Sequence, residues 1–583
     1  MPQDPAACPG VPSFDRRFFD GAETLTCIGS GSIGGKAHGL LSIKDILVTR
    51  LEKGDGAVFD VRVPTLSVIA TDLFDAFMDR NGLWEVALSG RPDDRIALAF
   101  QQAALPAELV GDLRALIEQV HTPLAVRSSS RLEDAMYRPF AGVYATKMIP
   151  NNQPDADTRF RRLVEAVKFV YASTFFAGAR GYLEAAGVSD QQEKMAVIVQ
   201  EVVGRRHGDR YYPEVSGVAR SYSFYRSGKA RPEDGVVNLA LGLGKTIVDG
   251  GVSWTYSPAY PRATPPYGSV QDLLKQTQLE FWAVNMGKPA AYNPIEETEY
   301  MVRAGIAEAE YDGTLREVAS TYLPQSDRLS PGIGASGPRV INFAPLLVLE
   351  DRPLNDLVKR LLAICQEAFG APVEIEFAIT FLPGDEPAKF GFLQVRPMVI
   401  SAEVVDVDLD HLGAGVLLAS DRVMGNGVVE GVRDIVFVKP DVFESRHTRV
   451  VAEELALLNR ELVAERRPYL LIGFGRWGSS DPWLGIPVAW DQIAGAKAIV
   501  EATLPTMNVD LSQGSHFFHN ISSFSVSYFS VPFTGRHPID WDGLARQPIV
   551  RETGFVRHVR TEAPLLIRVD GRSGGGFISW GQS

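Results

Sequence analysis

Cysteine is scarce in this chain. Three of the 583 residues are cysteines, and Cys8, Cys27 and Cys365 lie far apart without a CxxC pair. A disulfide-stapled domain and a cysteine-based zinc site both need more cysteines at closer spacing. The sequence therefore excludes both classes and is typical of a protein from a reducing compartment.

Long apolar runs and an excess of basic residues are also missing. No window approaches the run of about 18 apolar residues that a membrane span requires, and the N-terminus lacks a basic-then-apolar signal pattern. Acidic residues outnumber basic ones by 71 to 58, which gives a net charge of −13. Because phosphate neutralisation dominates duplex binding, this charge argues against nucleic acid as a partner. We expect a cytoplasmic protein that binds neither nucleic acid nor a membrane, while the oligomeric state stays open.

What the sequence does contain is an ordinary globular composition, with 45% hydrophobic and 22% charged residues. Runs of strand length alternate with segments of helical spacing, which predicts layered α/β or α+β structure. Residues 259–338 are rich in Pro, Gly and Tyr and look like an insertion with its own helices. Residues 404–415 look like a linker, and 416–583 like a separate C-terminal domain with alternating strands and helices.

A glycine-rich segment, Gly29-Ser-Gly-Ser-Ile-Gly34, follows the first predicted strand and precedes Lys36. It matches the GxGxxG pattern of dinucleotide-binding proteins, but no clean acidic partner follows about 20 positions on. It is not a Walker A loop either, because Ser30 and Ala37 stand where that motif needs Gly and Ser or Thr. The segment is either a tight strand-to-helix turn or a phosphate-binding turn with Lys36 at the helix N-terminus.

Arg127 stands at the end of a predicted strand, before three serines and the charged stretch 131–134. An arginine at a strand end can hold two phosphate oxygens at once, and serine hydroxyls can add donors. A solvated polar loop is the alternative interpretation.

Two further predicted strands carry paired polar residues. Glu374 and Glu376 share one strand face, and Gln394 and Arg396 share a face of the next strand, since side chains alternate along a strand. If the strands pair, carboxylates, an amide oxygen and a guanidinium converge. Hard oxygen ligands for Mg²⁺ beside a phosphate-binding arginine suit phosphoryl transfer. An exposed polar strand face is the alternative.

A series of motifs in order along the chain resembles the nucleotide-binding region of the phosphoenolpyruvate synthase and pyruvate phosphate dikinase family. The resemblance covers roughly residues 25–400 and rests on these segments: Gly34-Gly-Lys-Ala-His-Gly-Leu40, residues 63–71, Ala125-Val-Arg-Ser-Ser129, Phe140-Ala-Gly142, residues 199–203, Ser216-Gly-Val218, Gly242-Leu-Gly244 and Leu393-Gln-Val-Arg-Pro-Met398. It implies an α+β, ATP-grasp-like fold in which ATP binds between two lobes, 1–198 and 199–403.

The resemblance also implies roles for individual residues, with ATP and Mg²⁺ as the ligands. The implied phosphate-binding cations are Lys36, Arg127 and Arg396, of which the two arginines would act in catalysis. The implied adenine-reading strand, acting largely through its backbone, comprises Gln200, Glu201 and Val202. Gly242 and Gly244 would let a loop approach the nucleotide. The implied magnesium ligands are Glu376 and Gln394, with Glu374 nearby.

The chain departs from the family after the nucleotide-binding region. The dikinases carry a phosphorylated histidine in a Thr-Ser-His context and a pyruvate-binding barrel, but residues 401–583 are too few for both, because a barrel alone takes about 250 residues. None of the nine histidines follows Thr-Ser, and the nearest context is Ser515-His516. Pyruvate is therefore not supported as the acceptor. His516 is the candidate phosphocarrier, or else the general base for the acceptor.

Another glycine-rich segment, Tyr469–Gly485, lies in the C-terminal region and carries Arg476 and Asp481. With Trp477, Trp483 and Trp490 it is either a site for an organic anion with an apolar wall or a turn-rich module with core tryptophans.

Three functions are compatible with these patterns. The first is an ATP- and Mg²⁺-dependent phosphotransferase of the dikinase type that acts on an unidentified small-molecule acceptor. The second is an ATP-dependent ligase or condensing enzyme, and the third is a nucleotide-binding regulatory module without turnover. The set of candidate cations and metal ligands argues against the third.

Overall fold

A computed structural model describes most of the chain, and its residues fall into two compact units. The described residues are 10–17, 23–51, 58–130, 133, 143–186, 193–223, 230–249, 252–263, 270, 273–274, 277–288, 291–384, 386–398, 405–412, 415–479, 481, 483–507, 509 and 526–581. The first unit comprises Met1–Ser221, Gly235–Ile247 and Val252–Met398, and the second comprises Tyr222–Asp234, Val248–Gly251 and Val399–Ser583.

A five-stranded sheet opens the first unit. Its strands lie in the order Leu25–Ile28, Leu66–Ile69, Met195–Glu201, Leu124–Ser130 and Thr146–Ile149. The first pair is parallel and the other pairs are antiparallel. The helices of this part of the chain are Gly34–Arg50, Thr71–Asn81, Trp84–Ala87, Asp93–Gln102, Ala107–Gln119, Ala156–Ser173 and Ala177–Ala186.

A six-stranded sheet follows, with the order Trp254–Tyr256, Val236–Ala240, Val215–Arg220, Val373–Thr380, Ala388–Pro397 and Phe59–Arg62. The helix Leu354–Phe369 covers its apolar face with Leu357, Leu361 and Cys365, which recur every four residues and are buried. Each of the two leucines contributes roughly 1.5–3 kcal/mol on full burial. The helix Gly34–Arg50 packs on the same face, so the polar side chains of these strands are left on the opposite face.

Two smaller sheets complete the first unit. One has the order Met301–Gly305, Glu280–Asn285, Arg210–Tyr212 and Arg205–His207, and the other has the order Arg328–Pro331, Ala319–Leu323 and Arg339–Ile341. The remaining described helices are Lys245–Val248, Ile306–Tyr311 and Ala344–Leu347, and the 3-10 turn Pro232–Asp234 belongs to the second unit. The segment 259–338 contains one described helix, Ile306–Tyr311, beside four described strands, and one of these strands pairs with residues 210–211. Its status as an insertion stays a prediction.

The second unit is built on a seven-stranded sheet with four parallel strands in chain order, Asp434–Val438, Tyr469–Phe474, Ala496–Ala502 and Ser527–Val531. Its antiparallel strands are Val423–Met424, Val556–Arg560 and Ile549–Glu552. A four-stranded sheet contains Val416–Ser420, Gly575–Ser579, Leu566–Asp570 and Asn426–Val429, and Arg476–Trp477 pairs with Gly485–Ile486. The helices are Thr448–Ala464 and Trp541–Ala545, with 3-10 turns at Ser445–His447 and Trp490–Gln492.

The mixture of helices and sheets agrees with the α+β class expected from the sequence. The lobe boundary at 198/199 and the linker at 404–415 stay predictions. Among the described residues, no helix is both long enough and apolar enough to cross a membrane.

Glu214 lies buried between the strands Arg210–Tyr212 and Val215–Arg220. Its Oε2 accepts a hydrogen bond from the Phe381 N–H at 3.2 Å, and its Oε1 lies 3.4 Å from Arg205 and 3.9 Å from His207. Burial raises the pKa of the Glu214 carboxyl from its ordinary 4.5 to about 7. The folded protein therefore holds this proton more tightly than the unfolded chain does.

This difference predicts a pH-dependent stability. The free energy of unfolding should fall as pH rises from about 4.5 to 7, with a slope of at most roughly 1.4 kcal/mol per pH unit from this group. Urea denaturation of the wild type and of Glu214→Gln across this range measures the slope, and the variant should lack this component. The pKa of His207 is lowered, mainly by burial, so this residue makes stability rise with pH. It is present in both proteins, and the difference between their profiles therefore reports Glu214. Parallel profiles would show that Glu214 does not titrate there.

Candidate functional site

Arg127 connects the first two sheets. It lies on the strand Leu124–Ser130, and its Nη2 donates to Gln394 Oε1 of the six-stranded sheet at 2.8 Å. Its Nη1 donates to the Leu393 carbonyl at 3.1 Å and to Gln200 Oε1 at 3.2 Å. Glu376 Oε2 lies 3.6 Å from Nη2. One guanidinium thus gathers an amide from its own sheet and an amide and a carboxylate from the other.

Strand register explains why these residues meet. The strands Val373–Thr380 and Ala388–Pro397 are antiparallel, with Glu374 opposite Arg396 and Glu376 opposite Gln394. Ile375 and Val395, which alternate with them, are buried in the apolar core. The two strands therefore do pair, which was the condition for convergence, and the four polar side chains share one face.

Glu374 and Arg396 are part of a buried ion triad whose third member, Arg220, the sequence analysis missed. Arg220 lies opposite Glu374 on the neighbouring strand and donates from Nε to Glu374 Oε2 at 2.5 Å. Arg396 Nη2 donates to Glu374 Oε1. Both carboxylate oxygens of Glu374 are thus engaged by arginines, whereas Glu376 is more exposed. Glu376 is therefore the most accessible of the three candidate oxygen ligands, while Gln394 Oε1 accepts a hydrogen bond from Arg127. The metal roles of Glu376, Gln394 and Glu374 stay predictions.

Lys36 belongs to a neighbouring buried cluster. Its Nζ lies 2.8 Å from Glu133 Oε1 and 3.3 Å from Ser128 Oγ, the residue next to Arg127. The helix Gly34–Arg50 approaches closely here, because a Cβ at Gly35 would lie 1.5 Å from the Glu133 carbonyl oxygen. Glu133 was seen in the sequence only as part of a charged stretch.

The glycine-rich turn before this helix has an internal partner. The amides of Ser30 and Gly31 both donate to the Asp72 carboxylate at 2.9 Å. These hydrogen bonds outweigh the effect of burial and lower the pKa of Asp72. Because its amides already bind a carboxylate, the turn fits the structural interpretation better than the phosphate-binding one.

The strand expected to read adenine is engaged by its neighbours. The amide of Glu201 donates to the Thr65 carbonyl at 3.0 Å, and that of Val202 to the Pro123 carbonyl at 2.9 Å. Gln200 turns its side chain to Arg127, and its buried Nε2 has no hydrogen-bond partner among the described residues. The structure therefore gives Gln200 a side-chain role that the sequence did not suggest, and the adenine contacts stay a prediction.

A small apolar cluster adjoins this strand. It is separate from the main core and comprises Ala125, Val202, Leu243, Val284 and Met286, with Met148, Tyr211, Trp282 and Met301 packed at its edge.

The loop that supplies Leu243 to this cluster needs glycine at one of its two positions. Gly242 has φ +84°, and a Cβ there would lie 2.7 Å from the Trp282 carbonyl oxygen, whereas one at Gly244 would make ordinary contact with Ser216 at 3.8 Å. The packing explains Gly242 without a ligand, and the nucleotide roles of both glycines stay predictions.

The remaining candidates from the sequence are His516, the segment 140–142 and the three tryptophans of the C-terminal region. His516 and the segment 140–142 lie outside the described residues. Trp477 is a core residue, because its ring packs over Gly473 and its Nε1 donates to the Val500 carbonyl at 3.0 Å. Trp490 is also buried, and Trp483 is 68% exposed. The three tryptophans therefore do not form one open apolar wall.

Guanidinium and ammonium groups beside carboxylate and amide oxygens are the residue types with which proteins hold nucleotide phosphates and their metal ion. The chain matches the family described as "Pyruvate phosphate dikinase, AMP/ATP-binding domain" over residues 30–409, and it belongs to that family. The phosphoenolpyruvate synthase of Aeropyrum pernix is 24% identical over 399 residues, which cover 63% of this chain and 40% of that protein. The chain thus corresponds to less than half the length of this relative.

The ion triad predicts different stability effects for the two glutamates. Glu374→Gln removes the anion that both buried guanidiniums contact and should lower the free energy of unfolding by roughly 3–5 kcal/mol. Glu376→Gln changes a carboxylate that is 17% exposed and lies 3.6 Å from Arg127, and it should cost less than Glu374→Gln because this ion pair is longer and less buried. Chemical denaturation of both variants measures the difference. Equal losses would contradict the assignment of Glu374 to the triad.

Proposed function

We propose that the chain is an ATP- and Mg²⁺-dependent phosphotransferase of the dikinase type, acting on an acceptor other than pyruvate. The observation that carries this proposal is the meeting of Arg127 with Glu376 and Gln394 across two sheets. Membership of a family described by its AMP/ATP-binding domain supports the nucleotide, and the name of the Aeropyrum relative supports phosphoryl chemistry.

The described residues fit the phosphates and the base of ATP. Arg127 and Lys36 supply positive charge, and guanidinium–phosphate hydrogen bonds are among the stronger ones in proteins. Gln200 Nε2 is a buried donor without a partner among the described residues, which a polar ligand would satisfy. The apolar cluster around Val202 and Leu243 supplies surface for the adenine ring.

The residues also fit Mg²⁺. Among the described residues, no group of three or more His, Cys, Asp or Glu side chains forms a metal cage. Mg²⁺ usually binds through one or two carboxylates together with substrate phosphates, so a full protein cage is not required. Glu376 and Gln394 would hold the ion, which would neutralise charge on the phosphates during transfer.

The chain's own residues then position the reaction. In the transfer, the acceptor atom forms a bond to the β-phosphorus while the bond from that phosphorus to the α–β bridging oxygen breaks, and AMP leaves with the electron pair. Water displaces the γ-phosphate as inorganic phosphate, so ATP, water and the acceptor give AMP, phosphate and the phosphorylated acceptor. Arg127 stabilises the negative charge on the phosphate oxygens and, through Gln394 and the Leu393 carbonyl, keeps the phosphates aligned with the metal ligands. The acceptor stays unassigned, and a carrier role for His516 stays a prediction.

Product analysis tests this function. The purified chain is incubated with ATP labelled at the β- or γ-phosphate and with Mg²⁺, with and without a small-molecule cell extract, and the products are separated by ion exchange. Formation of AMP and inorganic phosphate together with a phosphorylated product supports dikinase chemistry. ADP with a joined product would indicate a ligase, and no turnover in any arm would indicate a regulatory module; either outcome would overturn the proposal.

Glu376→Gln should abolish turnover more thoroughly than nucleotide binding. The carboxylate charge holds Mg²⁺, and such an ion contributes several kcal/mol to the transition state, so we expect a loss of about a hundredfold or more in kcat. The adenine contacts remain, and the Kd for ATP should rise by less than about tenfold. Glu367→Gln, on the exposed helix surface, is the control. Near-normal ATP consumption in Glu376→Gln would remove Glu376 from the metal site.

Arg127→Ala should weaken ATP binding directly. Losing a charge-assisted phosphate contact costs on the order of 1.5–3 kcal/mol, which is roughly ten- to a hundredfold in Kd. Lys36→Ala should act in the same direction. Arg127→Lys should not restore affinity, because an ammonium cannot reproduce the forked contacts of the guanidinium. Titration with ATP and with adenosine checks this, since adenosine binding should persist; unchanged ATP affinity would remove the residue from the site.

A further inference from the structure

Two lysines of the first unit are buried against a glutamate, and their surroundings differ. Lys147 Nζ contacts Glu299 at 2.7 Å and the carbonyls of Pro294 and Glu296 at 2.8 Å each. A lysine ammonium has three donors, so these contacts occupy all of them. Lys147 is therefore a structural lysine.

Lys36 is not saturated in the same way. Its side chain is 10% exposed, and within the part of the chain that the structure describes its Nζ has two partners, Glu133 and Ser128. One of its three donors is left for a further acceptor. A buried ammonium with a spare donor is suited to an anionic ligand.

Glu133 is fixed without help from Lys36. Its Oε1 accepts from Ser128 Oγ at 2.9 Å and its Oε2 from the Ser130 amide at 2.9 Å. Its own amide donates to Ser130 Oγ at 3.2 Å. The side chain is fully buried, and both carboxylate oxygens have a hydrogen-bond donor other than Lys36.

A fixed carboxylate has two effects on a buried ammonium. It offsets the cost of removing the positive charge from water, and it sets the direction of the flexible four-carbon side chain. Ser128, which both groups contact, is the neighbour of Arg127 on the same strand. The carboxylate therefore ties Lys36 to the strand that carries the other phosphate-binding candidate.

We propose that Glu133 is a positioning residue that holds Lys36 charged and directed for the phosphate chain of the nucleotide. This inference rests on the proposed function, since it takes a nucleotide as the ligand of Lys36. Glu133 acts through Lys36 and does not itself contact the phosphates.

A double-mutant cycle tests the proposal on the full chain. The variants are Lys36→Met, which keeps the apolar stem, Glu133→Gln, which keeps the shape, and the pair combined. Equilibrium titration gives the Kd of each for ATP and for adenosine. We expect each single variant to weaken ATP binding by roughly tenfold or more, the double variant to be no weaker than Lys36→Met alone, and adenosine affinity to stay unchanged.

Two further variants separate positioning from a merely structural role. Glu133→Asp keeps the charge on a shorter side chain, and its ATP affinity should fall between those of the wild type and Glu133→Gln. If Glu133→Gln does not fold, Glu133→Asp replaces it in the binding measurements. Glu299→Gln makes the same change at the saturated Lys147 pair, and it should alter thermal stability without altering the ratio of ATP to adenosine affinity.

The proposal is overturned if the losses in the double variant add, if ATP and adenosine affinities fall together, or if Glu133→Asp binds ATP no better than Glu133→Gln. A wild-type chain that does not bind ATP would also overturn it. A wild type that binds ATP without turning it over would defeat only the proposed phosphotransfer, because the cycle is read from binding.

Discussion

The contact of Arg127 with the six-stranded sheet is the interaction on which the candidate site depends. A guanidinium has five donors in a rigid plane, so it can hold groups from two sheets at fixed angles. Here it holds Gln200 on one side and Gln394 with the Leu393 carbonyl on the other. This fork brings Glu376 and Gln394 to the strand Leu124–Ser130, and Lys36 donates to Ser128 of the same strand.

The charged side chains around this contact are buried in ion pairs and one ion triad, so most of them are held by fixed partners. Isolated ions are costly to remove from water, so Arg220, Glu374 and Arg396 stabilise one another across three strands. The buried charges of Lys36 and Glu133 stabilise each other in the same way at the start of the helix Gly34–Arg50. Glu376, more exposed and 3.6 Å from Arg127, keeps more freedom to change partners. The site thus combines fixed ion groups with one carboxylate that a ligand or metal ion can recruit.

The second unit is organised around the parallel strands of its seven-stranded sheet. Four parallel strands lie side by side in chain order, and the helix Thr448–Ala464 connects the first two. The strand order of these four does not reverse, so they lack the switch point at which open α/β sheets commonly bind ligands. The family match ends at residue 409, before this sheet begins.

The alternation of strands and helices and the family could be predicted from the sequence alone, whereas the pairing of Glu374-Ile-Glu376 with Gln394-Val-Arg396 was only one of two alternatives until the strand register was known. The alternation and the family follow from residue periodicity and from ordered motifs, both of which are local properties of the chain. Only the tertiary structure decided which charges meet. The structure shows three contacts that the sequence did not suggest. Arg220 contacts Glu374, 154 positions along the chain, Glu133 contacts Lys36, 97 positions away, and Asp72 contacts Ser30, 42 positions away. Such contacts depend on strand register and helix placement. Buried charges stabilise one another because they are neighbours in space, and residues this far apart along the chain produce no regular sequence pattern.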